Sequence, residues 1–211
     1  QWPTALPEFR DVFEDWYREL NALGARLLEH WATALGAAPD VFESAFDAER
    51  VSSLIKVVRY PHSAEATQGV GAHKDSGVLT LLLAEPGSKG LQVEAEPGVW
   101  TEADPIPGTF IVNIGELLEV ATHGFLRATN HRVLAPTEGD RLSVPFFYNP
   151  ALDARMPILD IARQGRGVEA DPDNPIFDTY GGNAWKSRLR AHPVVAQIHH
   201  GIVATAPAGA Y

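Results

Sequence analysis

Between residues 7 and 37 apolar side chains return at alternating steps of four and three: Phe9, Phe13, Trp16, Leu20, Leu23, Leu27. Arg10, Asp11, Glu14, Asp15, Arg18 and Glu19 fall largely between them. That spacing predicts one long amphipathic helix with a single wide apolar face. Its aromatics read as core that packs the helix onto a sheet. A second short helix is expected from Asp40, where an acidic cap is followed three residues later by Glu43.

After Ser53 the period shortens. Short apolar stretches suited to strands occupy residues 54–60, 78–84, 91–95, 109–114, 125–129, 131–134 and 142–148. Turn clusters rich in Gly, Pro, Asp and Glu separate most of them, at 85–90, 96–98, 104–108 and 136–139. Residues 62–71 read as a polar loop and 115–121 as a helical turn between strands. Strands of this length and spacing indicate a sandwich or barrel rather than a parallel α/β sheet. Beyond Pro150 the pattern weakens. A Gly-, Asp- and Pro-rich loop is expected at 163–175, a short helix at 179–191 and a frayed tail at 204–211. The organisation expected is one domain: a helical support at 1–50, a β core at 51–150, and a C-terminal extension of that core at 151–211.

Composition narrows the chemistry. The 211 residues include no cysteine, which excludes disulfides, thiolate catalysis and Cys-ligated metals. A formal net charge of −10 argues against nucleic acid as a partner. No apolar run approaches a membrane span and no basic-then-apolar signal segment opens the sequence, so a cytoplasmic location is expected.

Metal chemistry is then left to His, Asp, Glu and backbone oxygen. In an extended segment alternate residues share a side, so His73 and Asp75 can reach one point. His131 joins them if a facing strand brings it across a narrow β interior. Two imidazoles and one carboxylate suit Fe(II) and leave metal positions open for other ligands. A bare H-x-D is weak by itself, and His30, His62, His123, His192, His199 and His200 read as surface or packing histidines. Arg141 and Ser143 share a strand face by the same rule. That strand is otherwise largely apolar, so an inward guanidinium needs a partner such as a carboxylate. Tyr60 can add a hydrogen bond at the end of its strand.

The ordered segments H-K-D-S-G-V-L-T-L-L-L, G-L-Q-V, W-T-E-A-D-P-I-P-G-T-F-I-V-N-I-G-E-L-L-E, N-H-R-V and R-L-S-V-P-F-F-Y-N-P closely resemble the isopenicillin N synthase-like branch of the Fe(II)/2-oxoglutarate-dependent oxygenases. The likeness runs from about Val51 to Pro150. It implies a mainly β fold with flanking helices, whose double-stranded β-helix core (a distorted, cupin-like jelly roll) carries the long N-terminal helix on its outside. It casts His73, Asp75 and His131 as iron ligands. Arg141 and Ser143, with Tyr60, become partners of the distal carboxylate of 2-oxoglutarate, and Phe147 a substrate-facing aromatic. It implies Fe(II), 2-oxoglutarate and O₂ acting on a small-molecule substrate by hydroxylation, desaturation or ring closure, with release of succinate and CO₂. The sequence departs from the family in three places. Lys74 replaces the usual Thr between His and Asp, and is expected to point outward. Val58 replaces an Asn two residues before the tyrosine, which removes one 2-oxoglutarate contact. The family also has a substantial region, with strands and substrate contacts, ahead of the segment with which this sequence opens. Two other readings stay open: an iron oxidase of the same fold that uses no 2-oxoglutarate, and a non-catalytic metal-binding β-sandwich module.

Overall fold

The computed structural model describes residues 2–64, 67–161 and 175–202. The tail expected at 204–211, and all but Pro175 of the loop at 163–175, lie outside the described residues.

Helix α1 (Phe9–Ala34) follows the long apolar stripe. It stops where Gly36 takes a left-handed φ of 80°, so that the Ala37 N–H can donate back to the Ala32 carbonyl at 2.9 Å. The helix expected from Asp40 is instead a set of turns ending in a single 3₁₀ turn, Glu43–Ala45, which still buries Phe42.

Among the described residues, nine strands form two antiparallel sheets. The first has the order β1 (Leu54–Ile55), β9 (Arg141–Tyr148), β4 (Leu79–Ala84), β7 (Ile111–Ile114), with β2 (Val58–Tyr60) also paired to β9. The second has the order β3 (Gln68–His73), β8 (His131–Leu134), β5 (Leu91–Glu96), β6 (Val99–Glu102). Helix α2 (Glu116–Ala121) follows β7, and α3 (Tyr180–Ala191) and α4 (Pro193–His200) close the described chain. No helix among the described residues is long and apolar enough to cross a membrane.

Four departures from the sequence pattern have local causes. The strand expected over 54–60 is broken into β1 and β2 opposite Pro145, which has no N–H to give the ladder and only accepts from Lys56 N at 3.0 Å. The loop expected over 62–71 becomes strand from Gln68 onward, because β8 pairs with it through two register shifts. Residues 125–129 are not a strand: side chains accept their backbone donors, Thr122 Oγ1 from Leu126 N at 3.1 Å and Glu119 Oε2 from Ala128 N at 3.2 Å. Strand β6 was too short to show an alternation of its own; it is held as a hairpin on β5, with the Arg132 guanidinium 4.1 Å over the Trp100 ring.

The period-two rule divides the first sheet cleanly. On β9, Phe146 and Tyr148 point to the outer face and are buried, Phe146 edge-on to Tyr17 of α1 at 5.9 Å. A Cβ at Gly24 of α1 would lie 2.7 Å from the Tyr148 ring, so glycine lets the helix settle directly onto that strand. Leu79 and Leu81 of β4 join this core. The alternate residues Arg141, Ser143, Pro145 and Phe147 face the other way, into a cavity between the two sheets.

Candidate metal centre and anion clip

The cavity has a volume of about 390 Å³ and takes walls from both sheets and from one face of α3. Register places the first two predicted ligands: His73 and His131 are direct partners across β3 and β8, with ring centroids 4.3 Å apart. Asp75, two residues beyond the end of β3, brings Oδ1 to 3.8 Å from His73 Nε2 and 3.9 Å from His131 Nε2. These separations are too wide for hydrogen bonds and leave room for an ion between the three atoms. Among the described residues this is the group of His and acidic side chains able to hold a metal.

The surrounding bonds orient all three. His73 Nδ1 meets the Gly71 carbonyl at 2.8 Å and His131 Nδ1 the Thr129 carbonyl at 3.0 Å. Each Nδ1–H then donates to backbone, and each Nε2 lone pair is turned toward Asp75. Burial, reinforced by the neighbouring His131, holds His73 below the ordinary histidine value, which favours the neutral ring a metal requires. Asp75 is buried, which alone would raise its pKa. His131 and His73, with hydrogen bonds from Thr80 and Asn113, outweigh that and hold the carboxyl below its usual range. Both bonds fall on Oδ2, from Thr80 Oγ1 at 2.5 Å and Asn113 Nδ2 at 2.7 Å, which leaves Oδ1 for the histidine side. Nothing in the local pattern singles out Thr80 or Asn113 beyond their place in the T-L-L-L and V-N-I-G strands.

Lys74 does not simply point outward. Its ammonium reaches the buried Glu119 of α2 at 3.0 Å, because a carboxylate sunk into the helix–sheet junction needs a cation.

Arg141 and Ser143 are both buried on the cavity side of β9, with Leu142 exposed between them. Tyr60 is the register partner of Arg141, and the guanidinium lies 5.0 Å from its ring centroid. Arg141 Nε and Nη1 are buried with no hydrogen-bond partner. Val58 lines the cavity opposite Ser143 and offers no polar atom. Phe147 lines the cavity too, with Lys56 Nζ 4.8 Å over its ring. The donor set therefore fits a metal, and the orphaned guanidinium fits an anion beside it.

The profile of the 2OG-Fe(II) oxygenase superfamily matches residues 52–150. The 2-oxoglutarate-dependent dioxygenase frbJ of Dothideomycetidae sp. (strain 11243) is 33% identical over 219 aligned positions, covering 93% of this chain and 59% of its own length. Jasmonate-induced oxygenase 2 of Arabidopsis thaliana is 34% identical over 155 positions, covering 72% and 42%. Among solved structures, JOX2 in complex with 2OG, Fe and JA superposes with a TM-score of 0.74 at 30% identity, over 89% of this chain and 54% of that one. The chain thus spans about half the length of the curated relatives it matches. The matched stretch is the one that carries the histidines, the aspartate and the buried arginine, and the chain belongs to the 2OG-Fe(II) oxygenase superfamily.

Proposed function

We propose that this chain carries the catalytic core of an Fe(II)- and 2-oxoglutarate-dependent oxygenase that oxidises a small-molecule substrate. Residues 51–150 form that core, supported by 1–50 and 151–211. His73, Asp75 and His131 are the iron ligands. Arg141 and Ser143, assisted by Tyr60, hold the distal carboxylate of 2-oxoglutarate. The observation that carries the reading is the Arg141 guanidinium, buried in the same cavity as the His–Asp–His cluster with two unpartnered nitrogens. Buried guanidinium nitrogens left without hydrogen bonds are costly, and a carboxylate is the group that relieves them best.

When bound, Fe(II) with 2-oxoglutarate and O₂ supplies oxidation of a substrate C–H bond, coupled to formation of succinate and CO₂. The protein's own residues bind and orient. Thr80 and Asn113 fix the Asp75 carboxylate, and the Gly71 and Thr129 carbonyls fix the imidazoles. Val70, Leu91 and Val133 make the second-sheet wall apolar and keep water from the reacting centre. No side chain is required as general acid or base.

Anaerobic addition of Fe(II) and 2-oxoglutarate should produce a weak visible charge-transfer band, and O₂ should then yield succinate. A folded, iron-loaded protein with no such band would sink the 2-oxoglutarate assignment. Substrate turnover without succinate would give Arg141 to the substrate's own anion instead. Val58, apolar where the family has an amide, is the feature that favours that second reading.

A further inference from the structure

The cavity carries more positive charge than the proposed function, on which this inference rests, can neutralise. The chain is acidic overall at −10, yet Lys56, Lys74, Arg141 and Arg188 all line the cavity against a single acid, Asp75. Lys74 is paired with Glu119. Fe(II) against Asp75 leaves one positive charge, Arg141 adds a second, and dianionic 2-oxoglutarate cancels both. Lys56 and Arg188 remain. Neither has an ion pair with a described residue, whereas the similarly exposed Arg10, Arg18, Arg50, Arg59, Lys89 and Arg155 each have an acidic partner.

Both side chains are exposed, yet both line the cavity. Lys56 sits where β1 breaks opposite Pro145, and its ammonium lies 4.8 Å over the cavity-facing Phe147 ring. Arg188 belongs to the face of α3 that closes the cavity, with Tyr180, Ala184, Ser187 and Ala191. The two approach from different elements. Burial first, and then the Arg188 charge, hold the Lys56 ammonium below the ordinary lysine value. Two like charges at one mouth cost free energy that a shared anion recovers. A guanidinium fork beside a flexible ammonium suits a carboxylate. Leu54, Phe147 and Ala184 give the same cavity apolar surface.

We propose that Lys56 and Arg188 bind the carboxylate of an organic-acid substrate whose apolar body lies along Leu54, Phe147 and Ala184 toward the His73–Asp75–His131 cluster. The site is separate from the Arg141–Ser143 clip, and it makes the substrate an anion.

Octanoate and its uncharged isostere octanamide test this. Each is titrated calorimetrically into the protein loaded anaerobically with Fe(II) and 2-oxoglutarate, with the charge-transfer band recorded alongside, and again into the metal-free protein. Octanoate should bind at least about tenfold more tightly than octanamide in the loaded protein, the worth of one charge-assisted hydrogen bond. Lys56→Gln and Arg188→Gln should each reduce that preference and together abolish it, with 2-oxoglutarate affinity held within about twofold, since these residues do not touch the clip. Equal binding of acid and amide, no binding of the acid, or a preference that survives in the double variant would overturn the assignment. A missing charge-transfer band with the acid preference intact in the metal-free protein would remove the oxygenase reading and leave the acid site standing.

Discussion

Asn113 of β7 donates to Asp75 Oδ2 at 2.7 Å, across a sequence separation of 38 residues. With Thr80 on the same oxygen, it turns the other carboxylate oxygen toward His73 and His131. Asn113→Ala should therefore weaken Fe(II) binding by roughly 10- to 100-fold, the usual effect of removing a group that orients a ligand. Asp75→Ala should lose tight Fe(II) binding altogether. Anaerobic ferrous titration measures both, and unchanged iron affinity in Asp75→Ala would refute the ligand assignment.

Arg141→Met separates binding from stability. A charge-assisted hydrogen bond contributes about 1.5–3 kcal/mol, so 2-oxoglutarate affinity should fall roughly 10- to 150-fold. The melting temperature without 2-oxoglutarate should hold or rise, because the substitution removes a buried cation whose Nε and Nη1 have no partner. A large drop in melting temperature with unchanged 2-oxoglutarate affinity would make Arg141 a structural residue.

Gly77 lies two residues from Asp75, and a Cβ there would fall 1.8 Å from Asn149 Oδ1. Asn149 in turn donates to the Tyr180 hydroxyl at 2.8 Å and so ties β9 to α3. Gly77→Ala should cost roughly 1–3 kcal/mol in urea unfolding, as overpacking does. It should also disturb iron binding, since it displaces the turn that carries Asp75. Wild-type stability in that variant would show that Asn149 can move freely.

Asp140 contributes to the acid limb of stability. Asp140 accepts from His62 N at 2.9 Å and from Arg59 Nε at 2.7 Å, which pins the end of β2 beside the start of β9. The His62 backbone bond first, and then the Arg59 bond, hold its carboxyl below the ordinary aspartate value. A folded value depressed below the unfolded one means that its stabilising effect is fully present above about pH 4 and is lost as pH falls through the folded value. Asp140→Ala should therefore be less stable than the wild type at neutral pH and indistinguishable from it at the acid end. Denaturant unfolding as a function of pH checks this, and a difference that persists unchanged into strong acid would exclude the carboxylate as its source.

Much of this was legible in the order of residues, because side-chain period is a local property. Steps of three and four predicted α1 nearly to its ends, and steps of two put Arg141 and Ser143 on one face of β9 with Leu142 on the other. The break at residues 56–57 and the loss of the strand expected at 125–129 were not legible. The first is set by Pro145 on a partner strand, and the second by Glu119 and Thr122 taking backbone donors that a ladder would otherwise use.

The sequence by itself determined which side chains share a face: His73 with Asp75 as a candidate pair, and Arg141 with Ser143. Only the tertiary structure decided what those faces meet. Burying Phe146, Tyr148, Leu79 and Leu81 under α1 commits the opposite face of that sheet to the cavity. The register of β3 on β8 then sets His131 directly against His73. The folded chain also draws Asn113, Lys56 and Arg188 to one cavity from positions far apart in sequence. Period-two alternation records only which way a side chain points. Pairing and packing over long separations, fixed by the surfaces that must be buried together, decide what stands opposite it.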